Sequence, residues 1–158
     1  MDGSNNGLTD CGTDIVGFYY QHASGVLNHV TARHQEESVA LRGCQNGPGV
    51  FVESDGTGGS STVTVQNSSV HDYQKNGVTG DAAGTTLSIL SNFIQGYGAT
   101  NVIAQNGIQI SDGAVGKVRS NDIRDNFYTP SSYSATGVLF YDAANGSSST
   151  AIASNQVG

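Results

Sequence analysis

Gly107-Ile108-Gln109-Ile110 is a glycine followed by a short alternating apolar run, and the chain writes that pattern five times. The others are Gly17-Phe18-Tyr19-Tyr20, Gly49-Val50-Phe51-Val52, Gly77-Val78-Thr79-Gly80 and Gly137-Val138-Leu139-Phe140. Their glycines stand 32, 28, 30 and 30 residues apart. A nearly fixed period in that range marks a stacked repeat, in which each unit buries its apolar face only against its neighbours. The reading predicts that Val50, Val78, Ile108 and Val138 form one inward pile.

Each unit carries a second signature: an apolar residue, two others, Asn or Ser, one more residue, then an apolar, usually β-branched one. It reads Val65-Ser68-Val70, Ile89-Asn92-Ile94, Val118-Asn121-Ile123 and Ile152-Asn155-Val157. Asn28-His29-Val30 reads as the first member, with Gly25 at the leading apolar position. Residues two apart on a strand face one side, so Val63 with Val65, and Leu87 with Ile89, point inward together. Asparagine at the bend tolerates left-handed backbone, and asparagines stacked on successive turns can bond side chain to side chain. Ser68 interrupts that ladder. No segment holds a helical apolar period free of glycine for three turns, which excludes helical repeats. An immunoglobulin-like sandwich has no reason to repeat one pattern in register.

Composition agrees. Among 158 residues there are 22 glycines, two prolines, no tryptophan and 12% charged residues. Ser, Thr, Asn and Gly fill the polar positions, where helices would want Ala, Leu, Glu, Lys and Arg. The net charge of −7, with only six Lys and Arg, argues against nucleic acid as a partner. No apolar run is long enough to span a membrane. Met1-Asp2-Gly3-Ser4-Asn5-Asn6-Gly7 lacks the basic and apolar parts of a signal peptide. Cys11 and Cys44 are 33 residues apart, about one period. On adjacent turns, near the ~4.8 Å strand spacing, they come within reach of a disulfide. Counted from the following glycines they fall one position out of register, so two buried free thiols stand as the alternative. Zinc binding by two cysteines alone lacks matching histidines.

These features resemble the right-handed parallel β-helix proteins of the pectate-lyase-like superfamily, over roughly residues 15 to 157. The resemblance rests on the five glycine-led strands and the Asn-x-Ile/Val bend. From Val63 to Phe140 the chain is more similar still to uncharacterised bacterial β-helix-repeat proteins. The segments that carry this are Gln74-Lys75-Asn76-Gly77, Ile103-Ala104-Gln105-Asn106-Gly107-Ile108-Gln109-Ile110 and Tyr128-Thr129-Pro130. It implies an all-β, single-stranded right-handed parallel β-helix of about five turns over 15–158, with 1–14 as an irregular lead-in or cap. It also implies an exported, extracellular or cell-surface setting. Better-known members cleave or epimerise acidic polysaccharides; others bind sugars or act as spikes and scaffolds, and fold alone does not choose among these.

Stacking places columns of side chains four and five residues past each glycine. They hold Gln21/His22, Glu53/Ser54, Asp81/Ala82, Ser111/Asp112 and Tyr141/Asp142, with Asp55 nearby. Asp81, Asp112 and Asp142 are therefore the candidate catalytic carboxylates, and Asp81 with Asp112 the candidate calcium ligands. The plainer reading makes each Asp a turn residue that closes its strand. β-Helix lyases pair a carboxylate-bound calcium with an Arg or Lys base. Here Lys117, Arg119 and Arg124 fall on a different face from Asp81 and Asp112, which counts against catalysis. Tyr73, Tyr97, Tyr128 and Tyr133, with Glu53, make the candidate ligand-binding set, an exposed tyrosine row on which sugar rings stack. The alternative is that these rings cover the core. Histidines 22, 29, 34 and 71 are scattered without ligand spacing, and there is no Gly-x-Ser-x-Gly nucleophile motif.

The expected function is a carbohydrate-binding or cell-surface module with little or no catalysis. The rivals are an acidic-polysaccharide lyase or glycoside hydrolase, and a structural scaffold. The last unit, ending Gln156-Val157-Gly158, has no amphipathic helix over it, which implies a missing continuation or a partner subunit, and the expectation is an end-to-end homo-oligomer.

Overall fold

A computed structural model describes residues 1–144 and 152–158. Every winding lays down three short strands. The first gives β1 (Phe18–Gln21), β2 (Gly25–Asn28) and β3 (Thr31–Arg33), and the second β4 (Val50–Glu53), β5 (Ser61–Gln66) and β6 (Ser69–His71). The third gives β7 (Asn76–Asp81), β8 (Thr85–Leu90) and β9 (Phe93–Thr100), and the fourth β10 (Asn106–Ser111), β11 (Val115–Arg119) and β12 (Asp122–Tyr128). The fifth closes the series with β13 (Thr136–Tyr141), β14 (Ile152–Ala153) and β15 (Gln156–Val157). The one helical element among the described residues is a 3-10 turn at Val39–Leu41. Strands of equal rank pair in parallel, giving three five-stranded sheets: β1-β4-β7-β10-β13, β2-β5-β8-β11-β14 and β3-β6-β9-β12-β15. We number them sheets 1, 2 and 3. The architecture is an all-β, β-helix-like solenoid.

The register is the one the glycine spacing dictates. Phe18 pairs with Val50, Val50 with Val78, Val78 with Ile108, and Ile108 with Val138. Val50, Val78 and Ile108 are fully buried, with Val138 packed against the same cluster. On sheet 2, β5 and β8 alternate between buried and more exposed residues, with Val63, Val65, Leu87 and Ile89 inward beside the buried hydroxyls of Ser61 and Thr85. Two inward positions are glycines, and each leaves room for a larger neighbour. A Cβ on Gly80 would meet Leu87 at 3.0 Å, and one on Gly116 would meet Ile110 at 2.5 Å. Small and large side chains thus interdigitate at interior packing density.

The two sequence signatures prove to be the two sides of one contact. The leading glycines do not need positive φ. What they need is space: a Cβ on Gly49 would sit 2.3 Å from Val70, one on Gly77 2.8 Å from Ile94, and one on Gly107 2.6 Å from Ile123. The same Cβ would strike the carbonyl of the next glycine in the column, at 2.5 Å for Gly77 on Gly107. The β-branched residue of sheet 3 therefore packs on the glycine opening sheet 1.

At the bend between sheets 2 and 3 the asparagines form the expected ladder. Asn92 Nδ2 donates to Asn121 Oδ1 and Asn121 Nδ2 to Asn155 Oδ1, both at 3.0 Å. The left-handed residue, however, is not the asparagine but the one before it: Asn67, Ser91, Ser120 and Ser154, with φ of 49 to 57°. That kink turns the asparagine inward, where Asn92 and Asn121 are buried. Ser68 keeps one rung, its Oγ accepting from the Val30 N–H at 3.2 Å. In the first winding the signature lies two residues later than the sequence suggested. Leu27 pairs with Val65 and Ala32 with Val70, so Val30, not Asn28, occupies the bend.

Between sheets 3 and 1 the connections are longer and braced by buried glutamines. Gln74 Nε2 donates to the Leu41 and Cys44 carbonyls, and Gln105 Nε2 to those of Tyr73 and Gln74. The N-terminal lead runs along the first winding: Gly3 N–H donates to the Arg33 carbonyl at 2.9 Å, extending the edge of sheet 3. Cys11 and Cys44 are joined in a disulfide, with Cα atoms 5.5 Å apart. Among the described residues no helix is long and apolar enough to cross a membrane.

Candidate functional site

Sheet 1 carries its chemistry on the outer side. Two registered columns face outward, Tyr19-Phe51-Thr79-Gln109-Leu139 and Gln21-Glu53-Asp81-Ser111-Tyr141. At one end, the Tyr19 and Phe51 rings stack with centroids 5.7 Å apart and planes 13° apart. Glu53 accepts from the Tyr19 hydroxyl and, at 3.0 Å, from Gln21 Nε2. Burial, then the hydrogen bond and charge of Glu53, push the Tyr19 hydroxyl up to about 12.

In the middle a chain of polar side chains crosses the windings. Thr136 Oγ1 donates to Asn106 Oδ1 at 2.7 Å, and Asn106 Nδ2 to Gln109 Oε1 at 3.1 Å. Gln109 Nε2 donates to Ser111 Oγ at 3.2 Å, and Ser111 Oγ to Asp81 Oδ1 at 2.6 Å. Stacking the strands in register creates this network, because Asn76, Asn106 and Thr136 share one register position.

The network opens into a cavity of about 330 Å³, whose lining includes Phe51, Lys75, Gln109, Asp81 and Asp112. Asp14 and Asn46, from the two segments joined by the disulfide, complete a wall. Burial raises the Asp81 carboxyl above the ordinary carboxylate range; the hydrogen bond from Ser111 pulls it down, while the hydrogen bond with Asp112 and the charges of Asp112 and Glu53 push it further up. Of the predicted catalytic set, Asp81 and Asp112 are thus brought together. Asp112 and Asp142 also sit at left-handed corners, φ 51° and 49°, as the turn-residue reading requires. Asp142 is exposed and is not among the residues lining this cavity. For calcium, the described residues bring no third carboxylate, histidine or cysteine ligand atom within 4.8 Å of those of both Asp81 and Asp112, although Glu53 and Asp14 lie on the same face.

Lys75 is the residue that sequence reasoning missed. It is half-buried, its Nζ donates to the Ala104 carbonyl at 2.7 Å, and burial lowers its pKa. It lines the same cavity as Asp81 and Asp112, so this face does hold a basic group. One signal was available: Lys75 is the only Lys or Arg between Arg42 and Lys117. Lys117 and Arg119 lie on sheet 2 and Arg124 on sheet 3, where Asp122 pairs with Arg124 at 2.6 Å.

The tyrosine row does not exist as a row. Tyr73 is 0% exposed, and its hydroxyl donates to Asn126 Oδ1 at 2.6 Å, so its ring belongs to the core and offers no face to a sugar. Tyr97 donates to Glu36, and the Arg42 guanidinium covers its ring at 5.3 Å. Tyr128 and Tyr133 meet edge to face, centroids 5.1 Å apart. They line a separate cavity of about 650 Å³, whose wall also includes Lys75 and Val102. The scattered histidines are partly gathered: His34 and His71 meet edge to face beside Asp72. His22 bonds Asp55 at 2.7 Å, which raises its pKa.

No protein-family model, no curated protein and no solved structure matches the chain.

Proposed function

We propose that this chain is a carbohydrate-binding module, with its binding face on the outer side of sheet 1 rather than along the tyrosines. The observation that carries the reading is the hydrogen-bonded polar network beside the Tyr19–Phe51 shelf. A pyranose has an apolar face for an aromatic ring and a rim of hydroxyls that both donate and accept, and amides and hydroxyls in a fixed array answer that rim. Glu53, Asp81, Asp112 and Asp14 give this face a negative potential, which favours a neutral or amino-bearing glycan over a polyuronate. In finer terms the fold is a right-handed, pectate-lyase-like β-helix, and its setting is an extracellular or bacterial cell surface.

A glycan array followed by calorimetry tests the reading. Phe51→Ala is expected to weaken binding roughly 2- to 10-fold, the value of one aromatic stacking contact, with the far-ultraviolet spectrum unchanged. Gln109→Ala weakens it as well. Absence of binding to any neutral or amino glycan, or full binding by both variants, overturns it.

One observation favours a second reading, an acidic-polysaccharide lyase or hydrolase: Lys75 and the Asp81–Asp112 pair share a cavity, with the lysine's pKa lowered and that of Asp81 raised. Those are the directions that suit a general base and a general acid. Calcium-dependent depolymerisation of pectin or alginate, lost in Lys75→Met and Asp112→Ala, supports it. Silence in both assays favours the scaffold reading.

A further inference from the structure

Apart from that face, the disulfide has an unusual neighbour. A carboxylate oxygen of Glu37 and the sulfurs of Cys11 and Cys44 all lie within 4.8 Å of one another. Glu37 is only 4% exposed. Its Oε1 accepts from Asn46 Nδ2 at 2.7 Å, while Oε2 is buried with no hydrogen-bond partner. A disulfide donates no hydrogen bond, so it does nothing for that oxygen. A buried carboxylate oxygen left alone costs free energy that a bound cation would recover. Asn46 holds the assembly together: its Nδ2 also faces the Cys11 and Thr13 carbonyls, at 3.2 and 3.4 Å.

We propose that opening the Cys11–Cys44 bond converts this point into a site for a thiophilic divalent cation of the zinc class. Its protein ligands are Cys11 Sγ, Cys44 Sγ and a carboxylate oxygen of Glu37. A dithiol reductant transfers two electrons and two protons to the sulfur–sulfur bond and is itself oxidised to a disulfide. The cation then displaces both thiol protons, and the two thiolates and one carboxylate leave the loaded site with one net negative charge. Zinc bonds of ~2.3 Å to sulfur and ~2.0–2.2 Å to oxygen place neighbouring tetrahedral ligands roughly 3.5–3.8 Å apart. Once the bond is broken the two sulfurs must part from bonding distance to that separation, while the Glu37 oxygen already lies within 4.8 Å of both. Soft sulfur donors select zinc-like ions over calcium and magnesium. Cys11 is exposed and gives reductant and metal a way in, while Cys44 and Glu37 are buried. Asn46 acts as a positioning residue that aims the carboxylate.

The test uses the full chain, reduced with a dithiol, freed of it by gel filtration under argon, and titrated with cobalt(II) and zinc. Reduced protein is expected to bind one equivalent, with thiolate-to-cobalt charge-transfer absorption, and disulfide-bonded protein none. Glu37→Gln is expected to bind at least about 10-fold more weakly, since even outer-shell partners are worth ~10–100-fold. Should Glu37→Gln fail to fold, Cys11→Ser at the exposed position serves instead and is expected to lose most of the charge-transfer intensity. Reduced protein that takes up no more metal than oxidised protein overturns the proposal. So does wild-type affinity in Glu37→Gln, or unchanged absorption in Cys11→Ser.

Discussion

Gly107 shows how a single hydrogen can set a position in this fold. Its Cβ, if present, would meet Ile123 at 2.6 Å and the Gly137 carbonyl at 2.7 Å, a backbone atom that cannot swing aside. Gly107→Ala is therefore expected to destabilise by about 1–3 kcal/mol, the usual range for overpacking, read as a lower urea midpoint. Asp81 makes a different argument at the same scale. Its folded pKa is raised, first by burial. The fold thus favours the protonated form: its contribution is fully present below the unfolded value of about 3.9 and is lost as pH rises through the folded pKa. Asn mimics the protonated acid, still accepting from Ser111 and donating to Asp112. Asp81→Asn is expected to raise Tm at pH 7, with the difference shrinking as pH falls through the carboxylate range; a variant less stable at pH 7 contradicts this.

The elements are short, and none has a stable existence without its neighbours above and below. Among the side-chain contacts that couple the windings, the asparagine ladder at the bend between sheets 2 and 3 recurs from turn to turn. Asn121 Oδ1 accepts from the Asn92 N–H at 2.9 Å, and Asn121 Nδ2 donates to the Ile89 carbonyl at 2.9 Å. Asn121→Ala strands both backbone groups in the interior. At about 1–3 kcal/mol for each unsatisfied group, the expected loss is about 2–6 kcal/mol by chemical denaturation, well above the typical surface substitution. Amide exchange should speed up at Asn92 and Ile94 before it does at the far end of β8. The left-handed residue that precedes each asparagine is what sends its amide inward, so ladder and corner form one device.

For the molecule as a whole, the N-terminal lead pairs along the edge of sheet 3 in the first winding, and Cys11–Cys44 ties it to the connection before the second. A cross-link spanning 33 residues constrains the unfolded chain enough to be worth about 3–4 kcal/mol in the loop-entropy account. Reduction without added metal is expected to lower stability by roughly that amount, measured on reduced and oxidised samples in parallel. At the other side, β13, β14 and β15 are the outermost strands of their sheets, with Ile152 and Val157 53% and 58% exposed. Unpaired parallel edges beside apolar side chains invite pairing. The 158-residue chain is expected to associate with rising concentration in gel filtration, and Ile152→Lys with Val157→Lys to return it to a monomer. A monomer at every concentration contradicts this.

The sequence by itself determined the period, the strands and, outside the bend of the first winding, their register. Glycine, alternation and the Asn-x-Ile/Val bend are local signals, and copies of one pattern at nearly constant spacing stack with like positions aligned. From that alone Val50, Val78 and Ile108 had to share the interior and Glu53 and Asp81 the outer face. Only the tertiary structure decided that Tyr73 turns inward, that Lys75 meets Asp81 and Asp112 in one cavity, and that Glu37 lies against the two cysteines. All three depend on the irregular connections from sheet 3 back to sheet 1. There chain direction is set by buried glutamines and by packing against other windings, and no alternation in the local sequence encodes where a side chain will point.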